Sequence, residues 1–419
     1  MKVLHISYGD LLGGANKAAY SIHKSILEYG IDSKMLVMVK SSEDKSVIAI
    51  KKLSKSIYYK NQIKQKLARI ILRLQKTDNE NLHSINLFSS GIHKLINGMD
   101  ADIVNLHWVN CEMISIKEIS KIKKPIIWTL ADMWPYCGSE HYTEDDSSTR
   151  YINGYQKKNR PLKHRGIDLD RFTWKRKKLF WLDKKINLIA TSNWNAKCAQ
   201  KSALFNKAHI DIVPQSIDLN IFKSHDKLIS RNIHNLPKDK FLILFAAPNA
   251  IKDKRKGYSH LKKSLKNLSK NRITNQLELV VLGSTNKNIE KELGIKTHYI
   301  NFLYDDISRV LLYNSVDVLL APSIQENLSN IVMESLASCL PVVAFNIGGM
   351  PDLIDHKING YLAKPFDCED FSKGIISILD SNKNTKKLSK AARKKAEKCF
   401  SSKIVASQYE KIYNERLIQ

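Results

Sequence analysis

Short runs of Val, Ile and Leu alternate along the chain with stretches whose apolar residues recur at helical spacing. That is the pattern of parallel α/β layers. In the first half it predicts strands VLHIS (3–7), KMLVMV (34–39), DIVNLHW (102–108), PIIWTL (125–130), NLIATS (187–192) and HIDIVP (209–214). In the second half it predicts FLILFAA (241–247), LELVVLG (277–283), HYINF (298–302), VDVLLAP (316–322) and PVVAFN (341–346). Between them, ANKAAYSIHKSILEYG (15–30) and the segment after Asn330 carry the helical period, and Ser389 to Gln419 reads as helix. Each half has its own first strand, so two doubly wound, Rossmann-like domains with a ligand cleft between them are expected. The boundary falls near QSIDLNIFKSHDK (215–227), giving domains 1–215 and 216–400 and a C-terminal helix over 401–419. No internal repeat is visible.

Length agrees with this division, since 419 residues exceed one ordinary core. Apolar residues make up 43%, a globular proportion, and no uninterrupted apolar stretch is long enough to span a bilayer. MKVLHISYGDLLGGA at the start lacks a long apolar run and reads as a first strand rather than a signal peptide. The cysteines Cys111, Cys137, Cys198, Cys339, Cys368 and Cys399 are scattered without CxxC spacing, which fits a reducing cytoplasm and speaks against a zinc site. Charge changes the picture more. Sixty-eight basic residues against 41 acidic ones leave +27, a field that attracts nucleic acid, anionic lipid or phosphorylated substrates. The basic runs KKNRPLKHR (157–165), KRKK (175–178), KDKRK (252–256) and KKLSKAARKKAEK (386–398) are spread along the chain, and no nucleic-acid-binding motif accompanies them. Solvated helix faces explain most of them, with a share facing a membrane.

The chemistry concentrates in SIQENLSNIVMESLASCLPVVAFNIGG (323–349). Glu326 follows the strand VDVLLAP in the loop at its carboxyl end, where open α/β sheets bind ligands. Asn327, Ser329 and Asn330 are helix-starting residues, and the helix start offers free N–H groups and a positive dipole end to a phosphate. Glu334 lies about one turn inside. A carboxylate there can accept hydrogen bonds from vicinal hydroxyls such as those of a ribose, and Glu326 can do the same for a second sugar. The pattern suits a nucleoside diphosphate sugar. The plainer reading makes Glu334 a first-turn acid that complements the helix dipole and Glu326 a solvated loop residue.

PSIQENLSNIVMESLASCLPVVAFNIGGMPDLIDHKINGYLAKPFD resembles the C-terminal signature of glycosyltransferase family 4, and GGANKAAYSIHKSI, NLHWVN, WTLADMWPY and YNSVDVLLAPS resemble its bacterial exopolysaccharide and O-antigen members. The likeness covers nearly the whole chain, most thinly over 41–100 and 143–180. It implies a retaining, metal-independent GT-B enzyme that needs no cofactor beyond a UDP- or GDP-sugar donor. It assigns the ribose to Glu334, the donor-sugar hydroxyls to Glu326, and the sugar and diphosphate pocket to the backbone of Asn327, Leu328, Ser329 and Asn330. Gly13 and Gly14 would let backbone approach the diphosphate, which glycine permits, although a plain tight turn would also use them. Lys256, followed by Gly257 after strand FLILFAA, matches the family lysine that meets the diphosphate, with Arg255 assisting. A cation there stabilises the leaving group as its charge develops. One more basic loop is the alternative.

The chain departs from the family in several places. Ala250 stands where an arginine is usual, so Lys252 or Lys254 would have to replace it. Ala131 stands where many members carry histidine, which leaves Asp132 and Trp134 as acceptor-side candidates, with Asp132 the catalytic one. Cys339 replaces a glycine, a packing matter. The family's cysteine cluster is missing at Ser139-Glu140-His141, so no structural metal is expected. His107, at a strand end, is a further acceptor-side candidate, although such a histidine is more often structural. IYYKNQIKQKLARIILRLQK (57–76) places Ile63, Leu67, Ile70, Ile71 and Leu74 on one face against Lys and Arg, the form of an interfacial basic helix or equally of a helix packed on its own domain. The resulting expectation is a cytoplasmic enzyme, peripheral at the inner membrane, that glycosylates a lipid-linked oligosaccharide in surface-polysaccharide synthesis. The alternatives are a non-catalytic nucleotide-sugar or lipid-carrier binding protein of the same fold, a GT-B epimerase or phosphorylase, and, last, a nucleic-acid binder.

Overall fold

The computed structural model describes residues 1–143, 149–246, 253–268, 272–284, 288–380 and 382–418. The chain forms two compact units, one of Met1–Gln215 with Val405–Gln419 and one of Ser216–Ile404.

The first unit holds a parallel seven-stranded sheet. Its strands are β1 (Lys2–Gly9), β2 (Asp32–Val39), β3 (Val47–Ala49), β5 (Ile103–Leu106), β6 (Ile126–Leu130), β8 (Ile186–Ala190) and β9 (Ile210–Ile212), ordered β3-β2-β1-β5-β6-β8-β9. Two short strands, β4 (Gln75–Lys76) and β7 (Arg165–Gly166), make a separate antiparallel ribbon. The second unit holds β10 (Phe241–Ala246), β11 (Leu277–Leu282), β12 (Thr297–Ile300), β13 (Val318–Ala321), β14 (Val342–Phe345) and β15 (Gly360–Ala363), ordered β12-β11-β10-β13-β14-β15 and parallel throughout. Both are doubly wound Rossmann-like sheets, as the alternating pattern requires. Continuous runs such as Leu242–Phe245 and Leu279–Val281 are buried because helices cover both faces of a parallel sheet.

Four strands escaped the sequence reading, the two-residue ribbon strands β4 and β7 and, in the parallel sheets, β3 and β15. β3 and β15 are edge strands that pair on one side only, so they stay short, and β15 opens with a glycine, which carries no strand signal. The predicted C-terminal helix is two helices, Asn382–Cys399 and Ser402–Ile418. Phe400 breaks the ladder between them, and its carbonyl accepts from Ile217 N at 2.8 Å. The sequence reading set 401–419 apart, whereas residues from Val405 onward are part of the first unit. Tyr409 and Tyr413 are buried against Ile103, Ile127 and Ile189 of its sheet. Their hydroxyls meet Thr129 Oγ1 at 3.2 Å and Asn105 Nδ2 at 2.7 Å, so the aromatic bodies fill the core while the polar tips stay satisfied.

Under the first sheet's switch point three histidines are buried together. His5 Nδ1 and His107 Nε2 share a hydrogen bond of 2.8 Å, and His23 is held by Ser33 and Ser46 at 2.7 and 2.8 Å. Burial pushes His107 down to about 3 and His23 to about 4, and it lowers His5 as well, so all three stay neutral. Their folded values lie below the unfolded value, so acid favours unfolding. The stability they contribute is whole above pH ~6.5 and is lost as pH falls toward their folded values. Burial pushes the Glu112 carboxyl up to about 7, which acts in the opposite sense between pH ~4.5 and 7. The histidine share is therefore best read by difference. Chemical denaturation at pH 7 and pH 5 is expected to show His107→Gln losing about 2 kcal/mol less on acidification than the parent, one unfolded-state proton taken up over ~1.5 pH units. Equal losses would mean that His107 is not held neutral.

Candidate active site

The second unit's site is built from three loops at the carboxyl edge of its sheet. The first follows β10. Asp253 caps a short turn, Lys254–Lys256, and holds Arg255 by N–H donation at 3.1 Å and by a guanidinium contact at 2.8 Å. Gly257 ends the turn at φ +70°, and a Cβ there would collide with the Pro322 carbonyl oxygen, so only glycine lets this loop close on the end of β13. Ile324 N donates to Arg255 O at 2.8 Å, which ties the first loop to the second.

The second loop, Pro322 to Ser329, carries Glu326. Its Oε2 lies 2.6 Å from Lys256 Nζ, an ion pair between two partly buried side chains. The third loop follows β14. Gly349 N donates to Glu326 O at 3.1 Å, and Gly348, at φ +53°, has no room for a Cβ against that same carbonyl. Glu326 is thus fixed by its backbone on one side and by Lys256 on the other. Asn327 and Leu328 are buried beneath it, Ser329 is the N-cap, and Asn330 is the first residue of the helix Asn330–Ala337.

Glu334 sits in that helix, 6% exposed. Its Oε1 pairs with Arg309 and its Oε2 accepts from Tyr313 Oη at 2.7 Å. Both partners stand one turn apart on the helix Asp306–Ser315, and Arg309 also pairs with Asp306. The carboxylates press the Arg309 pKa upward, and burial beside Glu334 presses the Tyr313 phenol upward, so the guanidinium stays charged and the hydroxyl stays a donor. A carboxylate held this way keeps its orientation and has lone pairs left for incoming hydroxyls. The sequence reading missed Arg309 and Tyr313. Their R-x3-Y spacing inside an amphipathic helix is an ordinary surface pattern, and only the packing of the two helices brings it to Glu334.

The structure therefore brings together Lys256, Arg255, Glu326 and Asn327 to Asn330, with Glu334 one turn along. Ala250 and Lys252 lie outside the described residues, and Lys254 closes the turn through its carbonyl, which accepts from Gly257 N at 3.0 Å.

The other candidates belong to the first unit. Gly13, at φ +81°, is the N-cap of the helix Gly14–Glu28 after β1. Beside it Asp10 is fully buried and clasps the loop after β2, accepting from Ser41 N and Ser42 N at 2.8 and 2.9 Å. Asp132 follows β6 and is a hub. Its Oδ2 accepts from Trp108 Nε1 at 3.0 Å and meets His141 Nδ1 at 2.5 Å, while its Oδ1 accepts from Trp134 N at 3.0 Å. His141 was not anticipated, since it stands nine residues along the chain from its partner. Trp134 is fully enclosed, with its indole N–H on Ser84 O at 2.7 Å and Lys177 Nζ 3.8 Å from its ring centroid. Burial pushes that lysine down to about 7, although its ammonium donates to the Cys137 and Gly138 carbonyls at 3.1 and 2.7 Å. His107 belongs to the histidine cluster. Neither Trp134 nor His107 presents an exposed ring face, so sugar stacking on them has no surface to use. Among the described residues no group of three His, Cys, Asp or Glu is placed to hold a metal ion.

Residues 226–395 match the family model described as glycosyl transferases group 1. An uncharacterized 41.2 kDa protein in the cps region of Klebsiella pneumoniae is 26% identical over 58% of this chain and 67% of its own length. The capsular polysaccharide biosynthesis glycosyltransferase CapM of Staphylococcus aureus is 25% identical over 47% of this chain and 52% of its own. Among solved structures, Anabaena Alr3699/HepE in complex with UDP and glucose superposes with a TM-score of 0.66 at 14% identity, over 99% of each chain. That likeness fixes the fold from end to end. On these matches the chain has the GT-B fold and is an enzyme of hexosyltransferase type, with residues 226–395 similar to the glycosyl transferases of group 1.

Proposed function

We propose that the protein transfers a sugar from a nucleoside diphosphate sugar, UDP- or GDP-linked, to a lipid-linked oligosaccharide in the assembly of a bacterial surface polysaccharide, with retention at the anomeric carbon and without a metal. The observation that carries this reading is the Lys256–Glu326 pair at the carboxyl edge of the second sheet, with the Glu334 carboxylate oriented by Arg309 and Tyr313. A cation beside a carboxylate suits a ligand that has phosphates and hydroxyls side by side. Lys256 is assigned to the donor diphosphate, Glu326 to the donor-sugar hydroxyls and Glu334 to the ribose. The names of the relatives, a capsular polysaccharide glycosyltransferase and a protein of a cps region, support the acceptor class. HepE in complex with UDP and glucose supports a UDP-sugar.

The chemistry asked of the protein is positioning and electrostatics. The bond from the anomeric carbon to the diphosphate breaks as a bond to the acceptor oxygen forms on the same face, and the leaving phosphate takes the acceptor's proton. Lys256 stabilises the charge gathering on that phosphate. Asp132, wired to Trp108 and His141, is assigned to the acceptor side.

Contact with a membrane is supported by the helix Lys55–Leu72. It buries Asn61 and Ala68 and turns Tyr59, Ile63, Leu67 and Ile70 outward, with Leu74 just beyond its end. Ile63 and Ile70 are 60% and 59% exposed, a high value for isoleucine. No helix among the described residues is long and apolar enough to cross a membrane, so peripheral binding through this stripe and its basic neighbours is the proposed mode.

Donor affinity measured by calorimetry is expected to fall by roughly 1.5–3 kcal/mol in Glu334→Gln, the cost of one charged hydrogen-bonding contact. Tyr313→Phe should lose less, because the carboxylate survives with one anchor. Unchanged UDP-sugar binding in Glu334→Gln would return this residue to a purely structural role. Acceptor-dependent UDP release should persist in EDTA, and inactivation reversed by manganese or magnesium would reject the metal-free reading. With liposomes, the chain should co-sediment with anionic vesicles at low salt and leave neutral ones alone, each basic residue near the surface adding about 1 kcal/mol. Changing Ile63, Leu67 and Ile70 to Gln should release it while donor affinity stays level, and sedimentation equal to the parent's would exclude the helix from the contact.

A further inference from the structure

A cavity of about 290 Å³ lies in the first unit and shares no lining residue with the donor site. Its floor is the carboxyl end of two neighbouring parallel strands: Tyr8 on β1, and Met38 and Val39 on β2. Its wall is the helix Lys55–Leu72. Tyr58, Gln62, Gln65 and Arg69 recur on that helix at spacings of four, three and four, a single face, with Lys66 beside them. The outward apolar stripe of Tyr59, Ile63, Leu67 and Ile70 lies one residue further along, about 100° round the helix. One helix thus presents a polar, cationic face to a cavity and an apolar face to solvent, side by side.

The lining reads as a recognition site. Gln65 Nε2 donates to Tyr8 Oη at 2.9 Å and to Asn61 Oδ1 at 2.6 Å, and Asn61 is itself anchored on Glu112 O at 2.7 Å. The Gln65 and Asn61 amides and the Tyr8 phenol are therefore held in place before any ligand arrives. Tyr8 packs edge-on against Trp108, the same indole that donates to Asp132, so the wall of the cavity is wired to the Asp132 hub. Lys66 and Arg69 differ from the other groups. Both are exposed at the rim, and neither makes an ion pair or hydrogen bond among the described residues. Two cations without counterions beside a set of amides and phenols match a ligand with an anionic end and a hydroxylated body. An arginine suits phosphate in particular, since its planar fork gives two parallel bonds. The volume is at the lower end of small-molecule sites, ~300 Å³, and suits one sugar phosphate. The carboxyl end of strands beside a switch point is where open α/β sheets take ligands.

We propose that this cavity binds a phosphorylated sugar, its phosphate or diphosphate on Lys66 and Arg69 and its hydroxyls on the face of Tyr58, Gln62 and Gln65. Resting on the transferase reading above, this ligand is the head group of the acceptor, and a lipid tail attached to its phosphate lies along the adjoining apolar stripe. The source of the phosphate is either such a lipid or a soluble sugar phosphate, and both present the same group to the cavity.

Calorimetry on the full chain separates the possibilities. The probes are glucose 1-phosphate, inorganic phosphate, methyl glucoside, and a prenyl-diphosphate-linked glucose in neutral vesicles, with UDP titrated in the same preparations. Glucose 1-phosphate or the vesicle-borne glucose should bind the parent, and the double variant K66Q/R69Q should weaken that binding at least tenfold while UDP affinity stays within twofold. The double substitution is at exposed positions, and an unchanged melting temperature confirms the fold. Lys66→Arg, which keeps the charge, should restore most of the affinity. Binding of the free sugar phosphate alone identifies a soluble ligand, and binding of the vesicle-borne form alone identifies a lipid-linked one. The proposal is overturned if neither binds, if inorganic phosphate or methyl glucoside binds as tightly as glucose 1-phosphate, or if K66Q/R69Q binds as the parent does. Loss of UDP binding by the parent would instead count against the transferase reading and leave the cavity result standing on its own.

Discussion

The donor-side geometry depends on one steric constraint, the close approach of two loops to carbonyl oxygens at the end of the second sheet. Gly257 lies against Pro322 O and Gly348 against Glu326 O, and neither position has space for a Cβ. Both residues also adopt positive φ, which a side chain would resist. With those contacts made, three loops from β10, β13 and β14 lock together through Ile324 N to Arg255 O and Gly349 N to Glu326 O. The Lys256–Glu326 pair is a consequence, because its two residues are carried by loops whose separation is already set. A salt bridge between free loops would contribute little, and one held by backbone is a preorganised binding element.

The same logic of support from behind recurs at Glu334 and Asp132. Each is a buried carboxylate whose oxygens are taken up by partners from other elements: Arg309 and Tyr313 for the first, Trp108, His141 and the Trp134 amide for the second. Burying a carboxylate is costly unless it is paired and hydrogen-bonded, so these partners are a condition of placing the groups there at all. They also fix the direction of the remaining lone pairs, which is what a site needs when it must distinguish one hydroxyl arrangement from another.

Charge acts at a different level. A net +27 does not identify a ligand, because most of the cations are solvated or paired with nearby acids and carbonyls. What distinguishes Lys66 and Arg69 is their place on the lining of a cavity, beside the Gln65 amide and the Tyr8 phenol. The helix that carries them also explains how one element can be ambiguous in sequence. Its apolar stripe satisfies a membrane-facing and a core-facing reading equally, and the structure divides it: Ile63, Leu67 and Ile70 turn outward, while Ile71 joins Ile57, Asn61, Ala68 and Leu72 on the face that rests on the domain.

The sequence by itself determined the alternating α/β order, eleven of the parallel strands to within a few residues, the positions of Glu326 and Lys256-Gly257 in loops after strands, and that of Glu334 one turn inside the following helix. These are local matters: period, strand-loop-helix context and glycine placement are all written within about ten residues. Tertiary structure decided the rest. Arg309 and Tyr313 reach Glu334 across 21 and more residues, Gly257 meets Pro322 across 65, and Asp10 clasps Ser41 and Ser42 across a β-α-β unit. The short edge strands β3 and β15 exist because a neighbour pairs with them, and their own residues do not announce it. The final residues join the first unit because Tyr409 and Tyr413 find apolar strands and polar tips there. Such partnerships depend on where two separate elements dock, and side-chain periodicity reports which face of an element is apolar without saying what that face will meet.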